Sequence, residues 1–383
     1  MTIKRIISVI ILLLTIFLVY RLVRPLQIFI ISPEFELPID LGKTPEGIES
    51  ISAASCGKCH EEIYKEWQTS MHSKAWKDPY FKVDFEYDGR LQVCLNCHTP
   101  LKDQQKHLVT GFSDSSKFRP ILEDNPDFNP DLRNEGVTCA VCHVRDGFIL
   151  GPRENIDAPH VVRQDNKLSD GHSICSRCHM VMGNSWDTFY RYPPCGTFAE
   201  ALEAGGKPEC AKCHMPDKRH SLTSDSELKI HRQHIWRGGH DPEMVKKGLT
   251  IEVKSRVKSE GKVILSLTNS GANHSIPTGT PDRHLRVTFR LINKKGELIR
   301  EKSHKLQRTI LWRPFIIDLW DTRIKSGERR EYSFFVRNNG RAAFLEIEVR
   351  YHLLDEKRRR KIGYENKDPV DYRVFYERID LID

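Results

Sequence analysis

Ten of the eleven cysteines fall into five C-x-x-C-H units: Cys56, Cys59 and His60; Cys94, Cys97 and His98; Cys139, Cys142 and His143; Cys175, Cys178 and His179; Cys210, Cys213 and His214. Chance would place on the order of 0.01 such units in a chain of this composition, so the repetition carries chemistry. Two thiols separated by two residues can add to the two vinyl groups of one haem as thioethers. The adjacent histidine is then held where its imidazole reaches the iron. Two other chemistries use CxxC pairs. Structural zinc needs its pairs to associate into four-ligand sets, which an odd number of identical units fits badly. Disulfides would suit an exported chain but leave the histidine after every pair unexplained. The spacing therefore predicts five covalently bound haem c groups, with the ten cysteines as attachment points and His60, His98, His143, His179 and His214 as iron ligands. The eleventh cysteine, Cys195, lies in Arg191-Tyr-Pro-Pro-Cys-Gly-Thr197. It reads either as a buried spare thiol or as an axial or redox-active thiolate beside an iron.

The elements that must position these residues follow from composition. The five units are spaced 35 to 45 residues apart in a region, residues 51–245, rich in Pro, Gly, Asn and Asp. Its apolar periodicity is too weak for an ordinary core, so bound haems would supply the missing volume in a mostly α and irregular domain. Short helices are expected at Glu61–Lys74 and Thr197–Ala204. No cysteine follows Cys213, and residues 246–383 change character. Leu249–Val253, Lys262–Leu267, Leu285–Leu291, Glu331–Val336 and Phe344–Tyr351 alternate as strands. They are separated by turn sequences such as Lys294-Lys-Gly296 and Lys325-Ser-Gly327. This predicts an all-β, immunoglobulin-like sandwich. The basic run Lys357 to Lys361 reads as a solvated turn between strands.

At the N-terminus, Ile6–Tyr20 is uncharged and apolar, preceded by Lys4 and Arg5 and followed by Arg21 and Arg24. Residues 1–31 are expected to be an uncleaved signal anchor, a single membrane helix, rather than a cleaved peptide. Residues 32–50, with Pro33, Pro38 and Pro45, read as a tether. A formal charge of +8, with acidic and basic residues interleaved, lacks the concentrated basic stripe of a nucleic-acid binder. An apolar content of 39% fits a soluble body and excludes a polytopic membrane protein.

Several segments then resemble one family. CGKCHEEIYKEWQTSMHSKAW from Cys56, CLNCHTPL from Cys94, EGVTCAVCHVRDGFILGP from Glu135 and CAKCHMP from Cys210 are similar to segments of the multihaem cytochrome c superfamily. That superfamily includes hydroxylamine-oxidoreductase-related and cytochrome c nitrite reductase-like proteins. HIWRGGHDPEM from His234 and NSGANHSIPTG from Asn269 resemble segments of membrane-attached members that end in a β-sandwich. The resemblance spans nearly all of the chain beyond residue 50. It implies that His72, in the pattern W-x-x-S-x-H, supplies a distal iron ligand. It singles out His160, His234, His240 and His274 as the other distal candidates, with His107, His172, His220 and His231 in reserve.

The expected function is that of a membrane-anchored electron carrier with its haem domain in the periplasm or another extracytoplasmic space. Its expected partners are redox proteins, among them a quinol-oxidising membrane complex as donor. The alternative is an oxidoreductase acting on a small nitrogen or sulfur compound at one open or thiolate-ligated iron. Relatives that reduce nitrite carry a lysine in a CxxCK motif at the active haem, whereas all five motifs here end in histidine.

Overall fold

The computed structural model describes residues 3–23, 36–113, 119–179, 188–189, 196–205, 208–255, 260–311, 316–337 and 341–381. The apolar run near the start is one helix, Ile3–Val23. It is long and apolar enough to cross a membrane, and its span Ile3–Tyr20 buries nothing against the rest of the protein.

Alternation of apolar and polar residues builds the C-terminal β-rich region. Its strands are β2 (Leu249–Ser255), β3 (Glu260–Asn269), β4 (His284–Ile292), β5 (Leu298–Leu311), β6 (Ile316–Asp321), β7 (Arg329–Arg337), β8 (Phe344–His352) and β9 (Asp371–Asp380). A two-residue strand, β1 (Thr188–Phe189), joins them from within the motif-bearing region. One sheet has the order β7-β3-β2 and the other β9-β8-β4-β5-β6-β1. Every pairing in these two sheets is antiparallel except β6 with β1. Successive side chains of a strand point to opposite faces. Leu285, Val287, Phe289 and Leu291 of β4 therefore share one face with Leu345, Ile347, Val349 and Tyr351 of β8, all within 3% of fully buried. They meet Val263, Leu265 and Leu267 of β3 and Phe334 and Val336 of β7. Phe289 stacks on Phe334 across the gap, ring centroids 5.6 Å apart.

Among the described residues, the motif-bearing region has no comparable core. Its main apolar cluster holds seven buried residues, Ile39, Leu41, Leu101, Leu132, Ala140, Val141 and Val144, against twenty-one in the β region. The helices are short, and the expected Glu61–Lys74 helix is two: Glu61–Gln68 and Met71–Lys74. Ser70 breaks it by capping the second, its hydroxyl accepting from Ser73 N.

Two expectations are corrected. Residues 36–50 are docked rather than a free tether. Ile39 N donates to Pro100 O at 2.7 Å, Lys102 N donates to Ile39 O at 2.9 Å, and Gly147 N donates to Leu41 O at 3.1 Å. Ile39 and Leu41 are buried in the small core, because two apolar side chains here recover more by packing than by remaining in water. The basic run is a helix, Glu356–Ile362. Asp355 caps its N-terminus and Gly363 ends it in the left-handed conformation. Arg358 reaches across to Asp84 at 2.5 Å. Leu354, Ile362 and Tyr364 pack against Tyr80 and Val83 of the helix Pro79–Tyr87, so this element clamps the two regions together.

Candidate functional site

Each CxxCH unit lies in or against one helical turn. The motif helices are Ala53–Gly57, Gln92–His98, Cys139–His143, Ser173–His179 and Cys210–His214. Residues three and four apart share a face of a helix. Both thiols and the histidine of a motif therefore point the same way. The first helix ends before Cys59, but His60 N still donates to Cys56 O at 2.9 Å, which continues the turn.

Backbone carbonyls orient the motif imidazoles. Nδ1 of His60 meets Leu222 O at 2.8 Å, that of His98 Ala75 O at 2.7 Å, that of His143 Leu150 O at 2.9 Å and that of His214 Arg237 O at 2.5 Å. A proton donated from Nδ1 to a carbonyl leaves the Nε2 lone pair free for a metal.

Four motif histidines face a second imidazole. His60 stands opposite His160 with ring centroids 6.2 Å apart, His179 opposite His72 at 6.4 Å, His143 opposite His234 at 6.2 Å and His214 opposite His274 at 6.3 Å. A metal–imidazole bond is about 2 Å. With half a ring added on each side, two imidazoles sharing one ion have centroids about 6 Å apart. The four separations agree with one another although the eight histidines come from unrelated parts of the chain. Burial lowers the proton affinity of His72 to a pKa of about 3, helped by His179. It lowers His234 and His179 to about 4 and depresses His143, His160 and His274 as well. These imidazoles are therefore neutral, the form that binds metal. His160 Nδ1 is buried with no hydrogen-bond partner, a costly arrangement for a ring nitrogen.

The motifs also pack on one another. The Cys56 thiol neighbours that of Cys139, Cys175 that of Cys210, and Cys97 that of Cys178, with Cys97 Sγ 3.9 Å from Cys178 O. None of the ten motif cysteines is in a disulfide. Among the described residues, no group of three or more His, Cys, Asp or Glu side chains gathers as a metal set, as tetrahedral zinc would need. Paired thiols on one helical face and imidazoles at twice a metal-bond reach fit covalently attached haem.

Comparison with known proteins agrees. Residues 55–120 match the family Cytochrome c554 and c-prime. The chain has the fold of a multihaem c-type cytochrome. Its fold is similar to that of the crystal structure of a penta-heme cytochrome c552 from Thermochromatium tepidum. The TM-score is 0.64 at 19% identity, covering 86% of this chain and 98% of that one. A β-glucuronidase from Bacteroides uniformis, 13% identical, is matched over 29% of this chain and 11% of its own, with a TM-score of 0.14; it carries no argument. No curated protein matches the sequence.

The remaining motif histidine, His98, differs. Phe81 lies flat on His98, centroids 3.5 Å apart and planes 4° from parallel, within an aromatic group with Trp76 and Phe85. No second imidazole faces His98 among the described residues. His240, expected as a distal ligand, faces no motif histidine there either. It lines a cavity of about 230 Å³ with Met71, Lys74, Lys77, Tyr80 and Tyr364. The physical reason is the turn at Gly238-Gly239. Tyr372 Oη donates to Gly239 O at 2.7 Å, and a side chain at Gly239 would strike Tyr351 Oη. The turn is thus held on the β region and His240 faces that junction. Of the reserves, His220 and His231 meet each other at 5.3 Å, His172 packs on Phe198 and His107 pairs with Asp124. Cys195 lies outside the described residues.

The pattern W-x-x-S-x-H has a local explanation. Trp67 is buried and donates to Val137 O at 2.8 Å, Ser70 caps the next helix, and His72 sits in its first turn. Sequence reasoning missed the supports. Glu66 Oε2 accepts from His234 N, and Glu66 Oε1 from Gln233 Nε2, both at 2.9 Å. Glu200 Oε2 accepts from Ser275 N at 3.2 Å and from the Thr278 hydroxyl at 2.8 Å, bracing the loop of His274. A lone glutamate in a helix gives no sequence signal for such a contact.

Proposed function

We propose that this cytochrome is a membrane-anchored, extracytoplasmic electron carrier with five covalently attached haems. The four facing imidazole pairs carry the reading. When bound, the haems supply reversible one-electron chemistry. His60 and His160, His143 and His234, His179 and His72, and His214 and His274 would occupy both axial positions of four irons. That leaves no site for a substrate at those four irons and favours outer-sphere transfer. Carbonyls at Leu222, Leu150 and Arg237 hold the motif imidazoles in a fixed tautomer and orientation, limiting reorganisation between oxidation states. The thiol contacts between motifs bring the attachment edges of neighbouring groups together, as a relay requires. The helix Ile3–Val23 would hold the protein beside a quinol-linked donor, with a periplasmic or surface protein as acceptor. The wider kinship with hydroxylamine-oxidoreductase-related and nitrite-reductase-like proteins belongs to this reading, as does the immunoglobulin-like class of the β region.

A second reading has one observation behind it. His98 faces Phe81 rather than an imidazole, which suits an open iron acting on a small nitrogen or sulfur compound. Carbon monoxide titration of the reduced, haem-loaded protein separates the two. Electron transfer predicts uptake by at most one iron per chain, with no turnover of nitrite, hydroxylamine or thiosulfate at that iron. Uptake at two or more irons, or steady turnover, would overturn it.

A further inference from the structure

Between the second imidazoles of two different pairs stands one indole. The Trp236 ring lies 4.6 Å from that of His72, planes 52° apart. It lies 5.2 Å from that of His234, planes 88° apart. His72 faces His179 and His234 faces His143, so a single side chain packs on ligand candidates of two neighbouring motifs. Its backbone is in the left-handed region, φ 39°. A bulky residue is uncommon there and persists only where the surroundings over-determine it.

The surroundings do so from both sides. Upstream, His234 N and Gln233 Nε2 are bonded to the buried carboxylate of Glu66. Downstream, the Arg237 guanidinium donates to Thr69 O at 3.1 Å and Thr69 Oγ1 at 3.0 Å, and Arg237 O is the partner of His214 Nδ1. Glu66 immediately precedes the W-x-x-S-x-H segment that presents His72, and Thr69 lies within it. The segment from His234 to Arg237 therefore touches three motif sites, and its strained residue is the one wedged between two of them.

We propose that Trp236 is a shared positioning residue. Its indole fixes the ring planes of His72 and His234 together, so one side chain sets the axial geometry of two neighbouring irons. The inference rests on reading those histidines as iron ligands. In a low-spin ferric haem with two imidazole ligands, the angle between the ring planes governs the g-tensor. A residue that holds ring planes is therefore visible by electron paramagnetic resonance without any assay of activity.

The experiment uses the haem-loaded full-length protein carrying Trp236→Ala, Trp236→Phe, His72→Ala or His234→Ala, each alone. The two histidine variants should each convert one low-spin signal to high-spin, which identifies the two signals concerned. Trp236→Ala should shift the g-values of those same two signals beyond their linewidth, keep both low-spin and leave the remaining signals in place. Trp236→Phe should shift the same two by less. Should the alanine variant fail to mature, the phenylalanine variant decides alone. Unchanged g-values, a shift in only one of the two, or a uniform shift of every signal would overturn the shared role. If instead neither histidine variant loses a low-spin signal, the ligand assignment itself fails, whatever Trp236 does.

Discussion

His274, on the loop between β3 and β4, holds its imidazole 6.3 Å from that of His214, with the ring planes 17° apart. Its Nδ1 meets Ser275 O at 3.0 Å, so the β region holds an oriented imidazole opposite the last motif histidine. On the proposed ligation one iron would lie between them, and separating the two parts would then break a coordination bond.

Replacing His274 tests this bond. His274→Ala should turn one haem from six-coordinate low-spin to high-spin and lower the unfolding midpoint of the loaded protein. His240→Ala should leave every low-spin signal in place, because His240 faces a cavity and no motif histidine. Visible and electron paramagnetic resonance spectra of both variants check the pair. Equal spectra for the two would contradict the placement of His274.

The ion pair behind that loop should matter for stability. Arg323 and Glu200 meet at 2.6 Å with both side chains 3% exposed, and Arg323 also pairs with Asp321 at 2.7 Å. Burial opposes the guanidinium charge, but Asp321 and Glu200 outweigh it and hold its pKa above the ordinary range. Arg323→Met should cost about 3–5 kcal/mol, since it leaves a buried carboxylate unpaired. The double variant Arg323→Met with Glu200→Gln should lose less than the sum of the two single changes. Urea unfolding of the four proteins gives the cycle; strict additivity would show that the pair is not coupled.

Gly47 supports the loop of His160, another of the proposed ligands. It has φ +84°, and a Cβ there would lie 2.5 Å from Pro159 O and 3.3 Å from the His160 Cα. Gly47→Ala should push the His160 loop outward and weaken or remove the low-spin signal of the His60 site. The backbone cost alone is about 1–2 kcal/mol. Gly296→Ala, at φ +82° with nothing within 4 Å, carries that backbone cost only and should leave every haem spectrum unchanged. An unaltered His60 site in Gly47→Ala would remove this contact from the account.

The β region should be sensitive at its inter-sheet stack. Phe289 is fully buried and Phe334 nearly so, and Phe289→Ala should destabilise the protein by about 3–5 kcal/mol. Chemical denaturation followed by far-ultraviolet circular dichroism measures it. A loss below about 1 kcal/mol would mean that the site collapses around the cavity.

What could be read in the sequence was what repeats or alternates. The CxxCH units needed no neighbours to be recognised, and β4 and β8 show clean alternation around Phe289 and Ile347. β5 escaped notice because its first six residues, Leu298 to Ser303, are all exposed, so no apolar face marks it. β1 is two residues long and gains its place only by pairing with Ile316 and Ile317. The helix at Lys357 to Lys361 was hidden by its charge; its cap at Asp355 and stop at Gly363 are the local signals that define it. Distal ligation is a matter of tertiary geometry. His234 and His240 are six residues apart in one motif-like segment, yet Gly238-Gly239 turns one toward His143 and the other toward Tyr80 and Tyr364.

Spin counting decides the central claim, which is that four irons lie between paired imidazoles. Low-temperature electron paramagnetic resonance of the fully oxidised, haem-loaded protein, integrated against a copper standard, reads this directly. The account predicts at least four low-spin ferric haems per chain, with any high-spin intensity confined to a single iron, that of His98. High-spin signals from two or more irons would contradict it.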